Sequence, residues 1–193
     1  MSAPPQVELR RFKRIEYEQL IDCGVFQPGE RLELIDGLLI VHEPQSSPHI
    51  TAIRLVEEAL RRAFGAGWEI RTQAPVGLDD DSEPEPDAFV VPGGPRDYVD
   101  AHPARPVLIV EVSVTSLGFD REHKSSLYAR GGVADYWIVN LVDRVLEIRR
   151  RPVPSPSAVY GWGYETLDVL GPDDHAAPLA APSSEVAVAD LLP

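Results

Sequence analysis

One cysteine, Cys23, stands in the whole chain. Its solitude excludes an internal disulfide and any metal centre built from clustered thiolates. No apolar run reaches the roughly 18 residues of a membrane span. Met1 to Arg14 contains no apolar core of the kind a secretory signal needs, so a cytoplasmic protein is expected. Positive charge is also scarce: 18 Lys and Arg face 31 Asp and Glu, for a net charge of −13. A protein that grips duplex DNA by neutralising phosphates is usually basic on at least one face. Here such a face would have to be local, built from Arg10, Arg11, Lys13 and Arg14, from Arg54, Arg61 and Arg62, or from Arg149 to Arg151. None of these groups is dense, and scattered solvated charges account for them better. The chain also lacks a G-x-S-x-G nucleophile elbow, a GxxxxGK[ST] phosphate loop, a zinc-spaced set of His or Cys and any internal repeat.

What is present reads as a single α/β domain of 193 residues, long enough for a substantial core. Residues 1–10 are expected to be flexible, 152–158 to form a proline-rich loop, and 159–193 to form a peripheral C-terminal extension. Arg11 to Ile21 has the apolar spacing of a short helix, ended by Gly24 and Pro28-Gly29. Leu32 to Ile35 and Leu38 to Val41 flank Asp36-Gly37, a favoured type I′ turn, and predict a β-hairpin. Ser47 then offers an N-cap and Pro48 a first helical residue for a helix that carries Ile53, Val56, Leu60, Ala63 and Phe64 on one stripe and closes at Gly65. Strands are expected over Trp68–Val76, Asp87–Val91, Val107–Ser113, Tyr136–Asn140 and Arg144–Arg149. The most apolar of them, Val107–Ser113, belongs at the centre of the sheet. A helix over Asp120–Arg130 ends at Gly131-Gly132.

Three short pieces carry the chemistry: Glu85-Pro86-Asp87, Glu111-Val112-Ser113 and Lys124. Glu111 is an acid inside an apolar strand, between Ile109-Val110 and Val112. A carboxylate there is costly unless it is paired or binds a metal. Asp87 ends an acidic run and opens a buried strand; Pro86 keeps the preceding residue extended. Lys124 lies on the helix that follows the Glu111 strand, so its first turn falls near that strand's carboxyl end. Two carboxylates and an ammonium that converge make a minimal site for metal-assisted phosphodiester hydrolysis.

In these residues the chain resembles the Uma2 family, within the PD-(D/E)XK restriction-endonuclease-like superfamily. The stretches that carry the resemblance are ERLELIDGLLIV (30–41), SSPHITAIRLVEEALRRAF (46–64), SEPEPDAFVV (82–91), LIVEVSVTSLGFDREHKSSLYARGGVADYWIVNL (108–141) and EVAVADLL (185–192). The resemblance implies a central mixed sheet of about four or five strands flanked by helices, with an N-terminal helix and hairpin added. It implies a Mg²⁺- or Mn²⁺-dependent endonuclease acting on DNA, with Asp87, Glu111 and Glu33 as metal ligands and Lys124 as the catalytic lysine. In the wider superfamily that lysine stands two residues after the glutamate, where this chain has Ser113; the lysine has moved to the following helix. His49 matches a common histidine at a helix start, with capping or packing an equal alternative. Tyr128, Tyr136 and Trp137 match the family as core. Weak or transient DNA binding, no membrane partner and, by analogy with enzymes that cut both strands, a homodimer are the expected associations. The alternative is a non-catalytic nucleic-acid-binding or scaffold protein that keeps the fold. RNA, or branched or damaged DNA, stays open as a substrate.

Overall fold

The computed structural model describes residues 9–42 and 44–193. Most of the expected flexible lead, residues 1–8, lies outside the described residues. The chain opens with α1 (Arg14–Asp22), followed by the hairpin of β1 (Leu32–Ile35) and β2 (Leu38–Val41). Asp36 and Gly37 both have positive φ, 48° and 79°, as the type I′ turn requires. Next come α2 (Ser47–Phe64), β3 (Trp68–Thr72), β4 (Ala88–Pro92) and β5 (Leu108–Ser113). Ser46 rather than Ser47 occupies the N-cap of α2, with Pro48 one position further into the helix.

Helix α3 (Leu117–Phe119), a π-helical turn over Asp120–Lys124 and α4 (Ser125–Arg130) run on as one helical stretch. The chain then forms β6 (Asp135–Asn140), β7 (Val145–Pro154), β8 (Trp162–Leu170), and the short strands β9 (His175–Ala176) and β10 (Val186–Ala187). The central sheet has six strands, in the order β3-β4-β5-β6-β7-β8, rather than four or five. The extra length comes from β7 and β8. β7 continues through Pro152 to Pro154, so the proline-rich segment starts as strand; Pro152 and Pro154 pair with Tyr164 and Trp162. All neighbouring pairs in this sheet are antiparallel except β5 and β6, which are parallel and joined through α3 and α4.

Strand alternation divides the core into two layers. One face of the sheet presents Val90, Leu108, Val110, Trp137 and Val139 to the apolar stripe of α2, which contributes Ile53, Val56 and Leu60. Val186, Val188, Leu191 and Leu192 close this layer, so part of the C-terminal segment is core, not periphery. The other face presents Phe89, Val91, Ile109, Tyr136 and Ile138 to Leu127 and Tyr128 of α4. Phe89 pairs with Ile109, which puts the Asp87 and Glu111 series on the same face. Among the described residues no helix is long and apolar enough to cross a membrane.

Candidate active site

The four acids and bases singled out in the sequence line one cavity of about 460 Å³. Glu111 leaves the middle of β5 toward α4 and is 4% exposed. Its Oε1 accepts from the Tyr128 hydroxyl at 2.6 Å and from Lys124 Nζ at 3.1 Å; its Oε2 accepts from the Asp87 backbone N–H at 3.2 Å. Asp87 stands one residue before β4, and its Oδ2 accepts the Val112 N–H at 2.8 Å. The two carboxylates are thus cross-tied through each other's strands. Lys124, also 4% exposed, donates at 2.8 Å to Glu33 Oε2, which takes the Glu85 backbone N–H as well.

The lysine reaches this position because of the π-helical turn. The Asp120 carbonyl accepts from Ser125 N–H, five residues on, and also from the Tyr136 hydroxyl at 3.1 Å. A side chain that feeds into a helical ladder is one known cause of such a bulge. Asp120 itself is buried at the cavity wall, with Oδ2 accepting from Ser113 and Ser116 hydroxyls at 2.7 and 2.6 Å. Ser113, two residues after Glu111, thus ties β5 to the helical stretch that carries Lys124.

His49, on the first turn of α2, sets Nε2 at 3.1 Å from Asp87 Oδ2 and 2.7 Å from the Val112 carbonyl. Both partners only accept, so Nε2 carries the proton. The equal alternative of capping or packing gives way to a direct contact with the aspartate.

Burial dominates the titration of this cluster. It pushes the Glu111 carboxyl up to about 8, the nearby Lys124 ammonium opposing and Asp87 adding to the rise. Burial alone would lower Lys124, but Glu111 and Glu33 outweigh it and hold the ammonium charged. Burial also lowers His49, and the hydrogen bond to Asp87 more than reverses this. Asp120 is raised by burial, against Lys124 and its two serines.

Two residues were missed in the sequence. Tyr128 matches the family as core, and it is fully buried, but its hydroxyl binds Glu111. Asp120 carried no signal beyond opening a helix. Among the described residues no three His, Cys, Asp or Glu side chains form a ready-made metal site. The expected trio of Glu33, Asp87 and Glu111 is split by Lys124, which draws Glu33 to itself, while both oxygens of Glu111 are already engaged.

A six-stranded mixed sheet flanked by helices, with buried acids and a lysine gathered beside its one parallel strand pair, is the architecture of a restriction-endonuclease-like protein. Its fold is shared by a crystal structure of "a putative nuclease belonging to DUF820 from Anabaena variabilis ATCC 29413", with a TM-score of 0.62 at 14% identity over 84% of this chain and 89% of that one. The chain belongs to the Uma2 family, whose model, described as "Putative restriction endonuclease", matches residues 15–189. No curated protein shows significant similarity to it.

Proposed function

We propose that this protein is a Mg²⁺- or Mn²⁺-dependent endonuclease that hydrolyses phosphodiester bonds in DNA. The observation that carries this reading is the buried Lys124 ammonium, bonded to both Glu33 and Glu111 on the floor of an open cavity that Asp87 also lines. Glu33, Glu85, Asp87, Glu111 and Asp120 give that cavity five carboxylates. A phosphate could approach them only with added positive charge.

The donor chemistry suits a hard cation, which prefers oxygen. Asp87 Oδ2 and the Val112 carbonyl oxygen already converge on one point, filled by the His49 N–H. Asp87 and Glu111 would hold the ion, with Glu33 completing the acidic cluster. Bound there, it would supply Lewis-acid polarisation of the phosphate and a more acidic water. The protein's own groups do the rest. Val112 N–H and Tyr128 O–H fix the carboxylates in place. The Lys124 ammonium orients the attacking water and offsets the charge that builds on phosphorus.

Cleavage of supercoiled plasmid, with single-stranded DNA in parallel, in Mg²⁺ or Mn²⁺ against EDTA, tests this. Metal-dependent cleavage is expected for the wild type, with a loss of about 10²-fold or more in both Glu111→Ala and Lys124→Ala. Cleavage that survives in both variants would refute the assignment. The rival reading, a non-catalytic nucleic-acid-binding or scaffold protein, is favoured by the full engagement of Glu111. It would follow from a wild type that neither cleaves nor binds Mn²⁺ in calorimetry.

A further inference from the structure

The cavity lining is of two kinds. Besides its acids it includes the apolar side chains of Ile40, Val41, Pro44, Val114 and Phe119. Val41 is 65% exposed and Val114 38%. Nothing in the hydrolytic cluster needs them there, and apolar side chains at a cavity mouth are a mark of ligand contact.

Phe119 is braced from behind. Its ring lies parallel to that of His123, one turn on, with centroids 4.9 Å apart and planes at 17°. His123 in turn meets Tyr160 edge to face at 6.0 Å, with Nδ1 and the Tyr160 hydroxyl 3.2 Å apart. Tyr160 is anchored by its N–H to Ser126 Oγ and covered by the Arg130 guanidinium, 5.1 Å from the ring centre. Asp36 and Asp79 hold that guanidinium by ion pairs. The result is an aromatic ladder that runs to the cavity, with Phe119 as its last ring. Such pre-ordering lowers the entropy lost when a planar ligand stacks.

Charge argues in the same direction. Among the described residues, no arginine lines the cavity. Lys124 is committed to two carboxylates. All ten basic residues of the three sequence clusters have an acid within ion-pair distance: Arg10, Arg11, Lys13 and Arg14 at the start, Arg54, Arg61 and Arg62 on α2, and Arg149 to Arg151 on β7. A long duplex contact needs rows of free cations on phosphates. Base stacking on an aromatic ring needs none. Inside a duplex both faces of a base are already covered, so only an unpaired base can offer one to Phe119.

We propose that the cavity receives an unpaired nucleotide, its base stacked on Phe119 among the apolar lining residues and its phosphate toward Asp87 and Glu111. The preferred substrate is then single-stranded nucleic acid rather than intact duplex. The role of the floor rests on the nuclease reading; the stacking subsite does not.

Fluorescence anisotropy with a labelled oligothymidylate and a blunt duplex of equal length, with Ca²⁺ as counter-ion to the floor, tests the subsite. Tighter binding of the single strand is expected. Phe119→Ala should weaken it about tenfold, within the range of base–aromatic stacking, while Phe119→Trp keeps it. Val41→Asp, at a position too exposed to threaten the fold, should weaken it as well. Duplex bound as tightly as single strand, no binding of either, or indifference to both Phe119→Ala and Val41→Asp would overturn the proposal. Phe119-dependent binding without any cleavage in Mg²⁺ or Mn²⁺ would remove the nuclease reading and leave the subsite standing. Duplex cleavage that Phe119→Ala does not change would do the reverse.

Discussion

Lys124 is one of only two lysines in the chain, and it is buried between two glutamates. Buried ion pairs are weak evidence for stability, because desolvation consumes most of the attraction. Their survival at a cavity floor therefore asks for a chemical reason. Tyr128 makes the same point from the other side of Glu111. Tyr128→Phe removes one buried donor and should cost about 1–3 kcal/mol, read as a lower urea midpoint at unchanged slope. Glu83 supplies a pH test away from the cavity. Burial and the adjacent Glu18 carboxylate push its carboxyl up to about 7 from 4.5, with Arg14 only partly opposing and Glu85 adding to the rise. The folded state therefore holds this proton between those values while the unfolded chain releases it. The stability it contributes is full below pH 4.5 and is lost as pH rises through about 7. Glu83→Gln should melt higher than the wild type at pH 8, by about 2–4 °C for each kcal/mol recovered, and should lose that advantage near pH 4.5. Equal melting at both pH values would sink this assignment.

At the scale of elements, local chemistry was readable where one short pattern decides the outcome. Asp36-Gly37 between two apolar runs marks the hairpin, and Gly65 marks the end of α2. The hairpin turn also seats α1: a Cβ on Gly37 would come within 2.6 Å of the Arg11 Cβ, at a φ of 79°. Gly37→Ala should accordingly destabilise by about 1–3 kcal/mol, and limited proteolysis should cut first near residues 9–22. Strand 88–92 was legible from an unbroken apolar run, and strand 108–113 from an apolar run broken only at Glu111 and ending in Ser113. The π-helical turn was not, because its cause is distant: Tyr136, on the strand that follows, bonds the Asp120 carbonyl. The length of β7 was hidden for a related reason. Prolines 152 and 154 read as a loop, and only their pairing with β8 makes them strand. Of the candidate site, Glu111 stood out in the sequence because it breaks an apolar strand, Asp87 because it opens a buried one, Lys124 by the order of elements, and Glu33 only by the family resemblance. The tyrosine did not, since an aromatic residue on a buried helix face looks like core until its hydroxyl finds a partner.

For the molecule as a whole, a net charge of −13 and ion-paired basic clusters set the terms of any encounter with a polyanion. A binder that releases many counterions shows a steep salt dependence, about −0.7 per phosphate neutralised on a single strand. Here a slope no steeper than about −2 is expected for log affinity against log monovalent salt, with calcium held constant, by anisotropy titration. A steep slope would reveal a basic surface that the ion pairs conceal. Two layers of core on one sheet also tie the C-terminal segment to the rest, through Val186, Val188, Leu191 and Leu192.

The one parallel strand pair bears on how the candidate site is assembled. Its crossover, residues 114–134, must close before β6 can lie beside β5, and Lys124 rides on that crossover. The lysine then meets Glu33, 91 positions earlier in the chain. Contacts of such separation are slow to form, since the loop entropy is lost before they return anything. A nascent or half-folded chain therefore has its carboxylates and its ammonium on different pieces. On the proposed nuclease reading, cutting power would come only from molecules that have finished folding.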